Sequence, residues 1–125
     1  EWILEEELTA RIEAGFPVFG KQLHLYRRNG EYGRQYVIPI GRLDLFCEDA
    51  DGNLYVIELK KDGGYGDAYA QLAAYLDWFQ KSKRFSKHSA SGILCVNHPS
   101  PQLLQKVHAD ARMHLYEYQI SYTER

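Results

Sequence analysis

Two carboxylates stand in apolar, strand-like runs where charge is unusual. Asp44 lies in Gly41-Arg42-Leu43-Asp44-Leu45-Phe46, and Glu58 lies in Tyr55-Val56-Ile57-Glu58-Leu59-Lys60. The polar stretch between them, Glu48-Asp49-Ala50-Asp51-Gly52-Asn53, is turn chemistry, so the two runs read as a hairpin. If it closes symmetrically around Asp51, Asp44 faces Glu58 and Arg42 faces Lys60. Directly opposed residues place their Cβ atoms roughly 4.5–5.5 Å apart. The two-residue period puts Glu58 and Lys60 on one side of their strand, and a one-residue slip would undo the arrangement.

Opposed carboxylates among apolar neighbours repel, and desolvation worsens the repulsion. A divalent cation relieves it, and hard oxygen donors suit Mg²⁺ or Mn²⁺, which keep several waters and bind through one or two carboxylates. Lys60 supplies a second positive charge nearby. Metal and ammonium together serve phosphodiester hydrolysis: the ion polarises a phosphoryl oxygen and acidifies a bound water, while the lysine orients that water or stabilises developing charge. The competing reading is a structural ion-pair cluster on a solvated face. The flanking Leu43, Leu45, Ile57 and Leu59 argue against free solvation.

The elements that must position these residues follow from periodicity. Leu4, Leu8 and Ile12 at four-residue steps predict an amphipathic helix from Glu1 to about Ala14, ended by Gly15 and Pro17. Gln22 to Tyr26 alternates as a short strand, and Arg27-Arg28-Asn29-Gly30 is a turn. Gln35 to Cys47 reads as one long extended stretch, bent near Pro39 and Gly41. After the hairpin, the glycines around Tyr65 predict a flexible loop. Asp67 then caps a helix to about Lys81 with Ala68, Leu72, Leu76 and Phe79 as its buried stripe. Ser91–Asn97 reads as a strand, Pro101 to about Asp110 as a helix and Met113–Thr123 as a last strand. The order αβββαβαβ predicts an α/β sandwich with crossover helices.

Asp44 followed by Glu58-Leu59-Lys60 after a hairpin resembles the PD-(D/E)XK nuclease signature, with Leu43 where the name has proline. Gly41 to Leu45, Asp51 to Lys60, Gln71-Leu72-Ala73-Ala74-Tyr75 and the ending Leu115 to Tyr122 together resemble the nuclease domain of NucS-type (EndoMS) endonucleases more closely. The resemblance runs over nearly the whole chain and implies a restriction-endonuclease-like fold, a mixed sheet flanked by helices. It implies that Asp44, Glu58 and the backbone carbonyl of Leu59 ligate the metal, with Lys60 beside the attacking water. Gln71 would face the site and hold a water or phosphate oxygen. An acid on the first helix completes such sites: Glu5 is the choice because it shares a face with Leu8 and Ile12, with Glu1, Glu6 and Glu7 as rivals. The implied reaction is metal-dependent cleavage of DNA. A nuclease fold that has lost catalysis and serves as a DNA-binding or protein-docking module is the alternative.

Length and charge bound the rest. At 125 residues, 45% hydrophobic and 26% charged, the chain reads as a single globular domain, residues 1–125. No apolar run approaches the ~20 residues of a membrane span, and no secretory leader is evident. Cys47 and Cys95 sit in apolar runs without metal-ligand spacing, as expected of reduced core thiols in a cytoplasmic protein. Net charge is −2, so DNA contact must be local or assisted by metal. Arg34, Arg42 and Tyr65 are the candidate DNA contacts. Two further basic groups, Arg27 with Arg28 and the run Lys81, Lys83, Arg84 and Lys87, read equally as solvated loop ends. The Gly63-Gly64-Tyr65-Gly66 stretch lacks the G-K-[ST] of a phosphate-binding P-loop. The five histidines show no paired ligand spacing. NucS-type enzymes carry a separate N-terminal domain for DNA binding and dimerisation. With the helical opening at Glu1-Trp2-Ile3-Leu4, the expectation is either a catalytic domain cut from a longer chain, with homodimerisation or an N-terminal DNA-binding domain as context, or a stand-alone relative whose substrate need not be mismatched duplex DNA.

Overall fold

A computed structural model describes residues 2–61 and 67–119. The opening helix α1 (Trp2–Glu13) buries Glu5, Leu8, Thr9 and Ile12 on one face. Short strands follow: β1 (His24–Leu25), β2 (Arg27–Arg28) and β3 (Glu31–Tyr32). The turn expected at Arg27–Gly30 is the tip of a small antiparallel ribbon, β2 on β3. Asn29 and Gly30, both at positive φ (52° and 81°), close it, the backbone that a tight Asn-Gly hairpin requires.

The extended stretch expected from Gln35 to Cys47 is instead two antiparallel strands, β4 (Arg34–Ile38) and β5 (Gly41–Glu48). Only Pro39 and Ile40 separate the terminal pair Ile38–Gly41. Pro39 has no N–H to continue a ladder, so the chain reverses rather than bends. Strand β6 (Leu54–Lys60) returns along β5 in the expected register, Leu45 opposite Ile57 and Phe46 opposite Val56. The Asp49 carboxylate ties the intervening turn by accepting the N–H groups of Asp51 and Asn53.

Helix α2 (Ala68–Lys81) then crosses to β7 (Ala90–Val96), which pairs parallel to β6, and α3 (Pro101–His108) crosses to β8 (Met113–Glu117), parallel to β7. Asp67 does stand at the N-cap of α2, but its side chain makes no capping bond. Ser100 caps α3 through the Leu103 N–H. The result is a mixed sheet, β1-β5-β6-β7-β8 with β4 on the same edge of β5 as β1, flanked by helices as expected.

Each face of the sheet has its own core. Phe46, Leu72, Leu76, Phe79 and Leu94 pack beneath α2 and α3, whereas Leu8, Ile12, Leu45, Ile57 and Ile93 pack beneath α1. Leu43 belongs to the first core and Leu45 to the second. Residues two apart on a regular strand share a face, so β5 changes face between them, at Asp44. Among the described residues, no helix is long and apolar enough to cross a membrane.

Candidate active site

The hairpin carrying the acids is regular only part of the way. Its backbone pairs run from Glu48–Leu54 to Leu45–Ile57 and stop one step short of Asp44 and Glu58. The directly opposed 44–58 pair expected from sequence is replaced by a reciprocal link. Leu59 N–H donates to Asp44 Oδ2 at 2.8 Å, and Asp44 N–H donates to Glu58 Oε2 at 2.9 Å. Side-chain oxygens thus take over where the ladder ends. Each bond satisfies a backbone N–H that the ladder no longer reaches, a group that would cost about 1–3 kcal/mol if left unpaired.

Both carboxyls lean toward their neutral forms. Glu58, only 3% exposed, is pushed up to about 8, first by burial and then by the Asp44 charge. Burial likewise raises Asp44, against the Leu59 N–H and the Lys60 charge, which lower it. The Lys60 charge opposes the burial of both acids but does not overcome it. Among the described residues, no group of three or more His, Cys, Asp or Glu side chains stands at metal-ligand spacing. The carboxyl oxygens of Asp44 and Glu58 are the donors that meet at the fork.

A cleft of roughly 710 Å³ opens beside Asp44, between α1 and the β4–β5 hairpin. It brings together Glu5, Arg34, Arg42, Asp44 and Leu59, with Trp2 and Tyr32 on its walls. Of the first-helix acids, Glu5 is the buried one. Glu6 and Glu7 are exposed, and Glu1 lies outside the described residues. Arg34 Nε reaches Glu5 Oε2 at 2.7 Å, and Arg34 Nη2 reaches Glu6 Oε2 at 2.8 Å.

Lys60 and Gln71 line a second, smaller hollow of about 200 Å³, where Lys60 Nζ donates to Gln71 Oε1 at 3.1 Å. The expected facing of Arg42 and Lys60 does not occur. Arg42 pairs with Val37 of β4 and opens on the Asp44 cleft, because β5 and β6 have already parted at that level. Tyr65, the third candidate DNA contact, lies outside the described residues.

Two further residues stand at the site, Tyr75, which belongs to the Gln71–Tyr75 stretch quoted above, and Gln35, which carries no sequence signal. Tyr75, four residues past Gln71 on α2, is buried and directs its hydroxyl to the Arg42 carbonyl at 3.5 Å. Gly41 makes room for it: a Cβ there would stand 2.5 Å from Tyr75 Oη. Gln35 donates from one amide nitrogen to Glu5 Oε1 (2.5 Å) and Asp44 Oδ1 (3.4 Å). A lone glutamine in a strand advertises nothing, and only its neighbours in space single it out.

Fold and site define a mixed α/β domain with an acid pair at a fork in the sheet and a lysine beside it. Residues 24–122 match the Endonuclease NucS C-terminal domain, and the chain belongs to that family. Among curated relatives, Endonuclease NucS of Parafrankia sp. (strain EAN1pec) is 38% identical over 69 residues, covering 55% of this chain and 30% of the relative. The protein of the same name from Streptomyces griseus is 30% identical over 99 residues, 79% of this chain and 39% of the relative. The chain thus spans well under half the length of these relatives. In structure it resembles a repair endonuclease from Pyrococcus abyssi (TM-score 0.65, 17% identity, 95% of this chain and 46% of that one). It also resembles the protein of an EndoMS-dsDNA2 complex (TM-score 0.54, 21% identity, 93% of this chain and 44% of that one). These likenesses establish the fold.

Proposed function

We propose that this domain hydrolyses phosphodiester bonds of DNA, as the nuclease module of a divalent-metal-dependent endonuclease of the PD-(D/E)XK type. The observation carrying this reading is the Asp44–Glu58 link: two largely buried carboxyls are joined across parted strands, with Lys60 in electrostatic contact with both. A hard divalent ion fits such a donor set. Asp44, Glu58 and the Leu59 carbonyl supply oxygens, and Mg²⁺ and Mn²⁺ complete their shells with water. When bound, the ion polarises the scissile phosphoryl oxygen and acidifies a water.

The chain's own residues supply the rest. Lys60, steadied by Gln71, stabilises charge developing on the phosphate or orients the attacking water. Gln71 holds a water or phosphate oxygen at the other end of its amide. Glu5 fixes the α1 side of the cleft through Arg34. Arg42 and Arg34 meet phosphates at the cleft wall, and Tyr65 is a further DNA contact. The cleft also presents Glu5, Glu6 and Asp44, so a cation is needed before a polyanion can settle there.

DNA as substrate is supported by the names of the relatives and by the DNA complex among the structural neighbours. We further propose that the domain acts on DNA as part of a homodimer or together with an N-terminal DNA-binding domain. Cys47 and Cys95 are both free and buried, in keeping with a reducing cytoplasm. The test is cleavage of plasmid DNA by the full protein with Mg²⁺ or Mn²⁺ and with EDTA. Cleavage that needs the metal and disappears in Asp44→Asn and Lys60→Ala supports the reading. A folded wild-type protein that leaves DNA intact with either metal overturns it in favour of a DNA-binding or docking module.

A further inference from the structure

We infer that Gln35 is a positioning residue for the acid centre, setting Asp44 against Glu5 through a single side-chain amide. This inference rests on the function proposed above. The β4–β5 ladder pairs Arg34 with Leu45 and Tyr36 with Leu43 but omits the pair between them, Gln35 and Asp44. No residue is inserted in either strand, so the break comes from backbone conformation. Gln35 sits at φ 52°, a left-handed backbone that glycine or asparagine adopts far more readily than glutamine.

The conformation has a specific geometric consequence. Consecutive strand residues ordinarily point to opposite faces, yet Arg34 and Gln35 both reach the Glu5 carboxylate. Arg34 Nε takes Oε2 and the Gln35 amide takes Oε1. The left-handed residue is what lets two neighbours grip one carboxylate. The same amide nitrogen turns toward Asp44 Oδ1, at the point where β5 changes face. Carboxylates only accept, so the nitrogen end of Gln35 must face both. A neutral double donor quiets the repulsion between Glu5 and Asp44 without placing a fixed cation that would compete with a metal ion. Tyr36, the next residue, is anchored in the core under α2, so the aim of the amide is not free to drift.

The test uses the full protein with Gln35→Gly, which keeps the left-handed backbone at no steric cost and deletes the amide. Gln35→Asn retains an amide on a residue that tolerates that backbone. Three quantities are read: Mn²⁺ affinity by calorimetry, single-turnover cleavage with Mg²⁺, and melting temperature in EDTA. Partners that orient metal ligands typically cost 10–100-fold in affinity or activity when removed. Gln35→Gly is therefore expected to weaken Mn²⁺ binding and slow cleavage by about tenfold or more. Its melting temperature should stay within about 3 °C of wild type, a small fraction of stability for a domain this size. Gln35→Asn should fall between the two. Mn²⁺ affinity and cleavage within twofold of wild type in a folded Gln35→Gly overturn the inference. So does a fall in melting temperature with Mn²⁺ affinity unchanged, the mark of a purely structural residue. If wild type itself neither binds Mn²⁺ nor cleaves, the proposed function fails and this inference goes with it. A competent wild type with indifferent variants removes this inference alone.

Discussion

Replacing Glu58 by glutamine should stabilise the metal-free protein while destroying its chemistry. The side chain is 3% exposed, and its pKa moves from an ordinary 4.5 to about 8, chiefly because burial penalises the charge. The unfolded chain releases this proton near pH 4.5 and the folded chain near 8, so between those values the folded state holds the extra proton. Stability then falls as pH rises across that window and levels off above it. At about 1.4 kcal/mol per pH unit the loss is ~3 kcal/mol by pH 7, an upper value if local relaxation softens the burial. The amide introduced by Glu58→Gln has no proton to lose in this range, and its oxygen can still accept the Asp44 N–H. Urea unfolding in EDTA at pH 5, 6, 7 and 8 measures the difference. The variant should match wild type within about 1 kcal/mol at pH 5 and exceed it increasingly toward pH 8. Curves that run parallel over the whole range would refute the burial argument. The same variant should show no detectable metal-dependent cleavage, the opposed movement of stability and activity found where a site is built at the expense of the fold.

Lys60→Ala should lower the cleavage rate by about two orders of magnitude or more, the scale of losing a group that stabilises transition-state charge. Gln71→Ala, which frees the lysine from its 3.1 Å contact, should show a smaller loss, measurable under single turnover. Gly41→Ala forces a Cβ to within 2.5 Å of Tyr75 Oη and should cost ~1–3 kcal/mol in urea unfolding, with partial recovery when Tyr75→Phe removes the hydroxyl. Away from the site, Asp110 accepts bonds from Arg112 and Tyr69 and is held down to about 2, the Arg112 hydrogen bond being the main cause. Its stabilisation is present above about pH 4 and fades as pH falls toward 2. Asp110→Asn should therefore lower the melting temperature at pH 7 and much less at pH 2.

Asp44, Glu58 and Lys60 were legible because charges in a two-residue apolar period are conspicuous, and because the Asp51-Gly52 turn gave the register that the strands keep. Helix phase with Leu8 and Ile12 favours Glu5 without settling it against Glu1, Glu6 and Glu7; burial is what sets Glu5 apart among the described first-helix acids. What escaped depends on dihedral angles rather than residue types. The change of face at Asp44 lies opposite Gln35, whose backbone is left-handed, and no periodicity rule contains a left-handed glutamine. The β4–β5 reversal was masked because Pro39 and Gly41 suit a bent strand as well as a tight turn. The β2–β3 ribbon was too short to show a pattern at all. The parting of β5 from β6 is also invisible in sequence, since the same register describes strands that stay together and strands that separate.

That parting means the two acids double as mortar between strands. Cutting either back to alanine would orphan a buried amide, Leu59 N–H in one case and Asp44 N–H in the other, at about 1–3 kcal/mol apiece. An alanine scan here would confuse architectural damage with lost chemistry. The amide isosteres keep the masonry and remove only the charge, so Asp44→Asn and Glu58→Gln are the substitutions from which function can be read.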